Sequence, residues 1–198
     1  YDLQAIYVSK LSAIILISYS TPDGHPAYSI DKIRPIIVSP SIMRIISTCM
    51  CRVLCPLANI FINANQTGFL PGRSGLRNIN LMSNFINSNR NRRSSAIFLI
   101  DFANAFSSLS WDFISAALLK LKIPPAWVRT ITLFLRSRVD LEFNGFSFAD
   151  FVDVCVGFRQ GDPLSGLLFC CCLEFLLDKL RTHSDTLAFA DDLAMLIN

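Results

Sequence analysis

Histidine is nearly absent from this chain, at two residues (His25 and His183), and none of the seven cysteines forms a CxxC pair. Both absences argue against a zinc site, and the odd cysteine count argues against a disulfide framework. The run Cys170-Cys171-Cys172 points in three directions around a helix and so cannot hold one ion jointly. We read the cysteines as small buried hydrophobes of a reducing, intracellular protein, in nucleus or cytoplasm and not secreted. Charge is scarce too, at 17% of residues with a net of +3, which permits a nucleic-acid partner without requiring one. The densest basic cluster, Arg90, Arg92 and Arg93, reads equally as a solvated loop after a helix. No uninterrupted apolar run reaches the roughly eighteen residues of a membrane span; Leu167 to Leu177 comes nearest and is broken by Glu174, so no membrane partner is expected. There is no secretory signal pattern, no internal repeat and no low-complexity linker. The chain begins at Tyr1 and stops soon after Asp192, and is read as a segment of a longer protein.

What the chain does have is apolar residues, at 52%, in short runs. Leu11 to Ile17 is rich in β-branched residues and reads as a strand, followed by the turn residues Thr21-Pro22-Asp23-Gly24. Ile33 to Val38 reads as a second strand, on an edge because Pro35 cannot donate to a ladder. Ser39-Pro40 suits a helix start, and the helix should run towards Ile62 with a kink or break before Pro56. A loop from Gln66 to Ser74 precedes helical spacing over Leu76 to Asn87. Ser110 should cap a helix from Trp111 to Leu121, and Ala126 to Arg136 is helical again after Pro124-Pro125. Val139 to Phe143 alternates and meets the hairpin signal Asn144-Gly145, with Phe151 to Val156 completing the hairpin. Gly157 to Pro163 forms a loop into a long helix, Leu164 to Leu180. Strands and helices mix without strict alternation, so the fold class is α+β.

Two stretches carry the chemistry. Thr186 to Ile197 sets Asp191-Asp192 between apolar flanks. Aspartate is depleted in strands and costly to bury unpaired, so the pair calls for a turn, a cation, or both. A hairpin with Asp191-Asp192 at its tip satisfies this, though an ordinary acidic turn has the same appearance. Upstream, the apolar run Ala96 to Ile100 is short enough for a buried strand and ends in Asp101. Two strand ends that each terminate in carboxylate could hold a pair of divalent cations, since magnesium takes a few protein oxygens plus substrate phosphates.

The order of five stretches narrows the field: Ile33-Arg34-Pro35-Ile36, Gln66-Thr67-Gly68-Phe69-Leu70-Pro71-Gly72-Arg73-Ser74, Leu99-Ile100-Asp101-Phe102-Ala103-Asn104-Ala105-Phe106, Arg159-Gln160-Gly161-Asp162-Pro163-Leu164-Ser165 and Phe189-Ala190-Asp191-Asp192. Together they resemble the reverse transcriptase domain of non-LTR (LINE-like) retrotransposons, over most of the chain. The resemblance implies fingers and palm of a right-hand polymerase, with a ferredoxin-like palm sheet and helices: fingers over 1–95, palm over 96–198, the thumb and later palm strands of the parent polyprotein absent. It implies catalysis by Asp101, Asp191 and Asp192, with two Mg2+ ions (or Mn2+) on Asp101, Asp191, Asp192 and the backbone carbonyl of Phe102. Arg34, Phe102, Ala105, Phe106, Gln160 and Gly161 would surround the incoming dNTP, and Arg44 and Arg73 the template. The partners implied are an RNA template, a DNA primer and dNTP, and the fragment alone is expected to be inactive.

The chain departs from the family pattern at several places. Ser107 stands where Asp is common, Ile17-Ser18-Tyr19 where a basic residue is usual, and Gly166 where Pro is common. A viral-type RNA-dependent RNA polymerase usually has Asp where this chain has Phe106, and group II intron maturases usually read Pro-Gln-Gly where it has Arg159-Gln160-Gly161. A degenerate remnant that binds nucleic acid or a partner without catalysis is a further reading; survival of all three aspartates speaks against long decay, and the truncation speaks for it.

Overall fold

The run from Leu164 onward becomes the most enclosed element. Helix α6, Ser165–Arg181, buries Ser165 to Glu174 and Leu177, and the main hydrophobic core forms around it. The computed structural model describes residues 13–18, 33–143, 146–147 and 152–198, with side chains described except at 13–18, 33–36, 141–143 and 146–147.

The elements before α6 are strands β1 (Ala13–Ser18) and β2 (Ile33–Val38), helices α1 (Ser41–Phe61) and α2 (Gly75–Asn89), and strand β3 (Ala96–Ile100). Helices α3 (Ala105–Ser108), α4 (Trp111–Lys120) and α5 (Pro125–Leu135) follow, then strands β4 (Ser137–Phe143), β5 (Phe146–Ser147) and β6 (Val152–Val154). After α6 the chain closes on β7 (Asp185–Phe189) and β8 (Asp192–Ile197).

One sheet has the order β2-β1-β4-β5, with β6 also paired to β4. Among the described residues β2 lies at the sheet's edge, where a proline is tolerated. β1 joins β4 in parallel, Ala13 opposite Asp140, so this sheet takes strands from both sides of the 95/96 boundary expected between fingers and palm. The second sheet is antiparallel, β3-β8-β7. Its faces alternate: Ala188 and Leu193 pack into the main core with α6, while Leu187, Ala194 and Leu196 pack against Leu81, Met82 and Phe85 of α2. The main core joins Leu54 and Ala58 of α1, Ile114 and Leu118 of α4, and Ile131 and Leu135 of α5 to α6.

Helix starts follow their caps. Ser74 Oγ accepts from Leu76 N at 3.3 Å, and Ser110 Oγ accepts from Phe113 N at 3.2 Å. α1 departs from expectation at both marked points. Pro40, not Ser39, is its N-cap residue, and Ser39 is buried with its hydroxyl unpartnered. The helix also runs through Pro56 unbroken, because its stripe of Ser47, Met50, Leu54 and Ala58 stays packed on the core across that residue. By length and composition alone, α1 is apolar enough to cross a bilayer, with a hydropathy of 1.4. The cysteines divide: Cys170 to Cys172 are buried as expected, whereas Cys49 and Cys155 are exposed. Burial first, then neighbouring Glu174, pushes the Cys171 thiol up to about 12, so it stays a neutral core group. The Asn144-Gly145 turn and the Thr21 to Gly24 turn lie outside the described residues.

Candidate active site

The site is built at one end of the β3-β8-β7 sheet. β3 and β8 pair antiparallel up to Ile100 opposite Leu193. The next residue of β3 is Asp101, and the residue before Leu193 is Asp192, so the strand ends bring these carboxylates to the same edge. β7 and β8 pair up to Phe189 opposite Asp192, leaving Ala190-Asp191 as a two-residue turn. The tip therefore carries Asp191, while Asp192 belongs to β8, one position inside the expected turn. Asp101 and Asp192 are exposed and Asp191 is half-buried. Asp191 lies close enough to α6 that its charge helps raise the Cys170 thiol, after burial itself, Cys171 and Glu174.

Ala190 adopts a φ of 56°. An L-residue in the left-handed region costs roughly 1–2 kcal/mol, and the surrounding structure has to hold it there. The holder is Gln66, which is fully buried. Its Oε1 accepts from Ala190 N at 2.9 Å and from Gly68 N at 3.0 Å, and its Nε2 donates to Ala190 O at 3.1 Å. The backbone beside it extends the sheet: Thr67 N donates to Ala188 O at 2.9 Å, and Ala188 N to Asn65 O at 2.9 Å. Asn78 of α2 adds a bond to Ala188 O at 2.8 Å. Gly68 is required here, because a Cβ on it would lie 2.3 Å from Ala190 N.

Arg73 sits beneath this loop. Its Nη1 donates to Gln66 O at 2.9 Å and its Nη2 to Ile62 O at 2.8 Å, with Asn63 O and Asn59 O as further acceptors. Four carbonyls thus occupy its terminal nitrogens, tying the end of α1 to the Gln66 loop. Arg44 lies on α1 with an exposed side chain.

The residues expected around the nucleotide converge through backbone bonds. Phe158 N donates to Phe106 O at 2.7 Å, and Gly157 N to Leu109 O at 2.8 Å, joining the Arg159-Gln160-Gly161 loop to the segment after Asp101. Gln160 O accepts from Ile37 N at 3.0 Å, which draws in β2 and so the backbone of Arg34. Phe106 is half-buried: its ring stacks on Phe169 at 4.4 Å between centroids and meets Phe69 edge-on at 5.8 Å. Phe102 and Ala105 line an apolar cavity of about 180 Å³ with Phe169, Cys172 and Leu173.

The loop is anchored from below. Asp162 Oδ1 accepts from Ser47 Oγ of α1 and from Leu164 N at 2.9 Å. Arg159 is 2% exposed; its guanidinium lies 4.3 Å from the Phe134 ring centroid and donates to Phe134 O. Burial lowers its pKa, Asp162 opposing the shift. Gln66, Gly68, Asn78, Ser47 and Asp162 are the supporting residues to which sequence reasoning gave no role. The glycine-containing loop was the available signal for the first two; the others act across distances in sequence that carry no local pattern.

Among the described residues no three His, Cys, Asp or Glu side chains converge to hold a metal ion unaided. The oxygen donors at this sheet end nonetheless suit a hard divalent ion, which takes one or two carboxylates and completes its shell with water and phosphate oxygens.

Residues 22–198 match the family model described as reverse transcriptase (RNA-dependent DNA polymerase). The chain belongs to the reverse transcriptase family. Among relatives, it is 28% identical over 82% of its length to a Pol polyprotein from a type-1 retrotransposable element R2 of Popillia japonica, covering 24% of that protein. It is 30% identical, again over 82% of its length, to a Pol polyprotein from the type-2 element R2DM of Drosophila melanogaster, covering 16% of that protein. The chain thus spans less than a quarter of these relatives, and the resemblance to non-LTR reverse transcriptases holds. A telomerase structure from Candida albicans aligns over 98% of this chain and 38% of its own, with a TM-score of 0.65 at 9% identity. That likeness shows the fold alone: α+β, of the right-hand polymerase type.

Proposed function

We propose that this reverse transcriptase domain contributes the nucleotidyl-transfer centre of an RNA-directed DNA polymerase, acting inside the cell on an RNA template, a DNA primer and dNTP. The observation that carries the reading is the register Ile100 opposite Leu193, which brings Asp101, Asp192 and the neighbouring Asp191 of the turn to one sheet end. Asp101 and Asp191 would hold two Mg2+ ions, with the Phe102 carbonyl and Asp192 beside them. When bound, such ions lower the pKa of a primer 3′ hydroxyl and neutralise charge on a leaving pyrophosphate. Around them the chain's own residues orient the substrate. The Phe106 ring, backed by Phe69 and Phe169, forms a wall beneath the sugar. Gln160 and Gly161 flank the base, with Gly161 at a φ of 101° so that backbone rather than side chain faces the nucleotide. Arg34, on β2 beside that loop, suits the triphosphate, since a guanidinium binds phosphate bidentately. β1 and β2 would belong to fingers and β3, β7 and β8 to palm, and the exposed Arg44 would contact the template backbone.

The test is primer extension on an RNA template by the full reading frame that carries these residues, with Asp101→Ala and Asp191→Ala alongside. Both variants should fold and lose extension. Extension by either at near-parental rate would overturn the assignment.

A further inference from the structure

The Ala190-Asp191 turn presents a problem that the sheet does not solve. Phe189 opposite Asp192 is the last ladder pair, so neither backbone group of Ala190 has a strand partner. Ala190 is also only 3% exposed, so water is not a ready substitute. One side chain, 124 residues upstream in sequence, takes both groups, accepting from Ala190 N and donating to Ala190 O.

We infer that Gln66 is a positioning residue for the metal-holding turn: its amide clamps the Ala190 backbone and thereby fixes where the Asp191 carboxylate stands. The inference rests on the two-carboxylate reading proposed above. A neutral planar amide is what the geometry requires, because one end must accept and the other donate. Asparagine carries the same fork but is one methylene shorter. Glutamate would accept from Ala190 N but lose the donor to Ala190 O and add charge beside Asp191.

Three features separate a clamp from a polar residue that merely finds partners in the core. First, Gln66 binds the one residue of the hairpin with a left-handed backbone, an alanine that would relax to negative φ if released. Second, Gln66 is itself fixed, since its carbonyl accepts from Arg73 Nη1 at 2.9 Å and its neighbour Thr67 is bonded to β7. Third, the Gly68 backbone approaches the same peptide so closely that no side chain fits between them, and its N–H shares the Gln66 Oε1 that takes Ala190 N. Arg73, Gln66 and Ala190 therefore form a continuous path from the end of α1 to Asp191.

The experiment uses the full reading frame, comparing parent, Gln66→Met, Gln66→Asn and Asp191→Asn. Mn2+ binding without nucleic acid is followed by the EPR signal of the free ion; primer extension is measured against free Mg2+, and thermal unfolding is recorded for each protein. Removing the outer partner of a metal ligand weakens metal binding by about 10–100-fold. Gln66→Met should therefore bind Mn2+ about tenfold more weakly, with a parallel rise in the Mg2+ needed for extension and little change in KM for dNTP at saturating metal. Gln66→Asn keeps a polar amide in the core and should shift in the same direction if the methionine variant does not fold. A lowered Tm with parental Mn2+ affinity and parental Mg2+ dependence in the folded variants would reduce Gln66 to a core residue and overturn the inference. A parent whose Mn2+ binding is unaffected by Asp191→Asn would instead overturn the two-carboxylate reading beneath it, a result distinguishable from the first.

Discussion

Replacing Gly68 with alanine tests how tightly the Ala190-Asp191 turn is held. The new Cβ would stand 2.3 Å from Ala190 N, 3.0 Å from Ala190 Cα and 3.1 Å from its Cβ. Ordinary contact begins near 3.4 Å, so one side must yield by about 1 Å. Gly68 cannot easily retreat, because its N–H is bonded to Gln66 Oε1 at 3.0 Å and its carbonyl receives the Cys170 thiol at 3.3 Å. The turn therefore moves, and Asp191 moves with it. Misplacing a reacting group by about 1 Å costs on the order of a hundredfold in rate. Overpacking of this kind costs about 1–3 kcal/mol in stability, a few degrees in Tm for a chain of this size. The assay is steady-state primer extension on an RNA template by the full reading frame at saturating Mg2+ and dNTP, with thermal unfolding in parallel. A kcat about a hundredfold below parent, in a protein that still folds, is expected. A folded Gly68→Ala protein with kcat within about threefold of parent would refute the reasoning, since the turn would then tolerate the displacement.

Two further substitutions probe other parts of the account. Phe106→Val should admit rNTP while dNTP use falls only moderately, read as the ratio of kcat/KM for dNTP over rNTP. An unchanged ratio, with a loss of stability approaching the roughly 3–5 kcal/mol of a buried Phe→Ala change, would make Phe106 core of the Phe69–Phe169 cluster rather than a wall beneath the sugar. Arg181→Met removes the partner of Glu174, whose side chain is 4% exposed and which also accepts from Asn63 N. Leaving that carboxylate buried and unpaired should cost about 3 kcal/mol by denaturant unfolding, and a loss below about 0.5 kcal/mol would show that the pair contributes nothing.

The parts of the site that could be read from the sequence are those with a local cause. An apolar run ending in Asp101, serine caps at Ser74 and Ser110, and an edge strand marked by Pro35 each follow from a few neighbouring residues. The acidic hairpin was legible for the same reason, although its turn lies one residue earlier because Ala190 accepts a positive φ that alanine rarely adopts. What was not legible depends on contacts distant in sequence. Nothing near Gln66 announces that its amide will meet Ala190 124 residues later. Nothing near Arg73 announces that the carbonyls ending α1 will take its guanidinium. Pro56 reads as a kink or break because the local cost is visible and the compensating stripe of α1 against the core is not. The parallel pairing of β1 with β4, which joins strands more than a hundred residues apart, likewise leaves no local mark.

The central claim is that the end of β3 and the β7-β8 turn hold divalent ions between them. Substituting Fe2+ for Mg2+ and supplying ascorbate and peroxide releases hydroxyl radicals at the bound ion, which cut the nearest backbone. Cuts are expected together around 101–102 and 190–192, with a weaker set at 66–68, which touches Ala190. All should fade with excess Mg2+ and disappear in Asp101→Ala. Cleavage confined to one of the two strand ends, or unchanged by Asp101→Ala, would contradict a shared site.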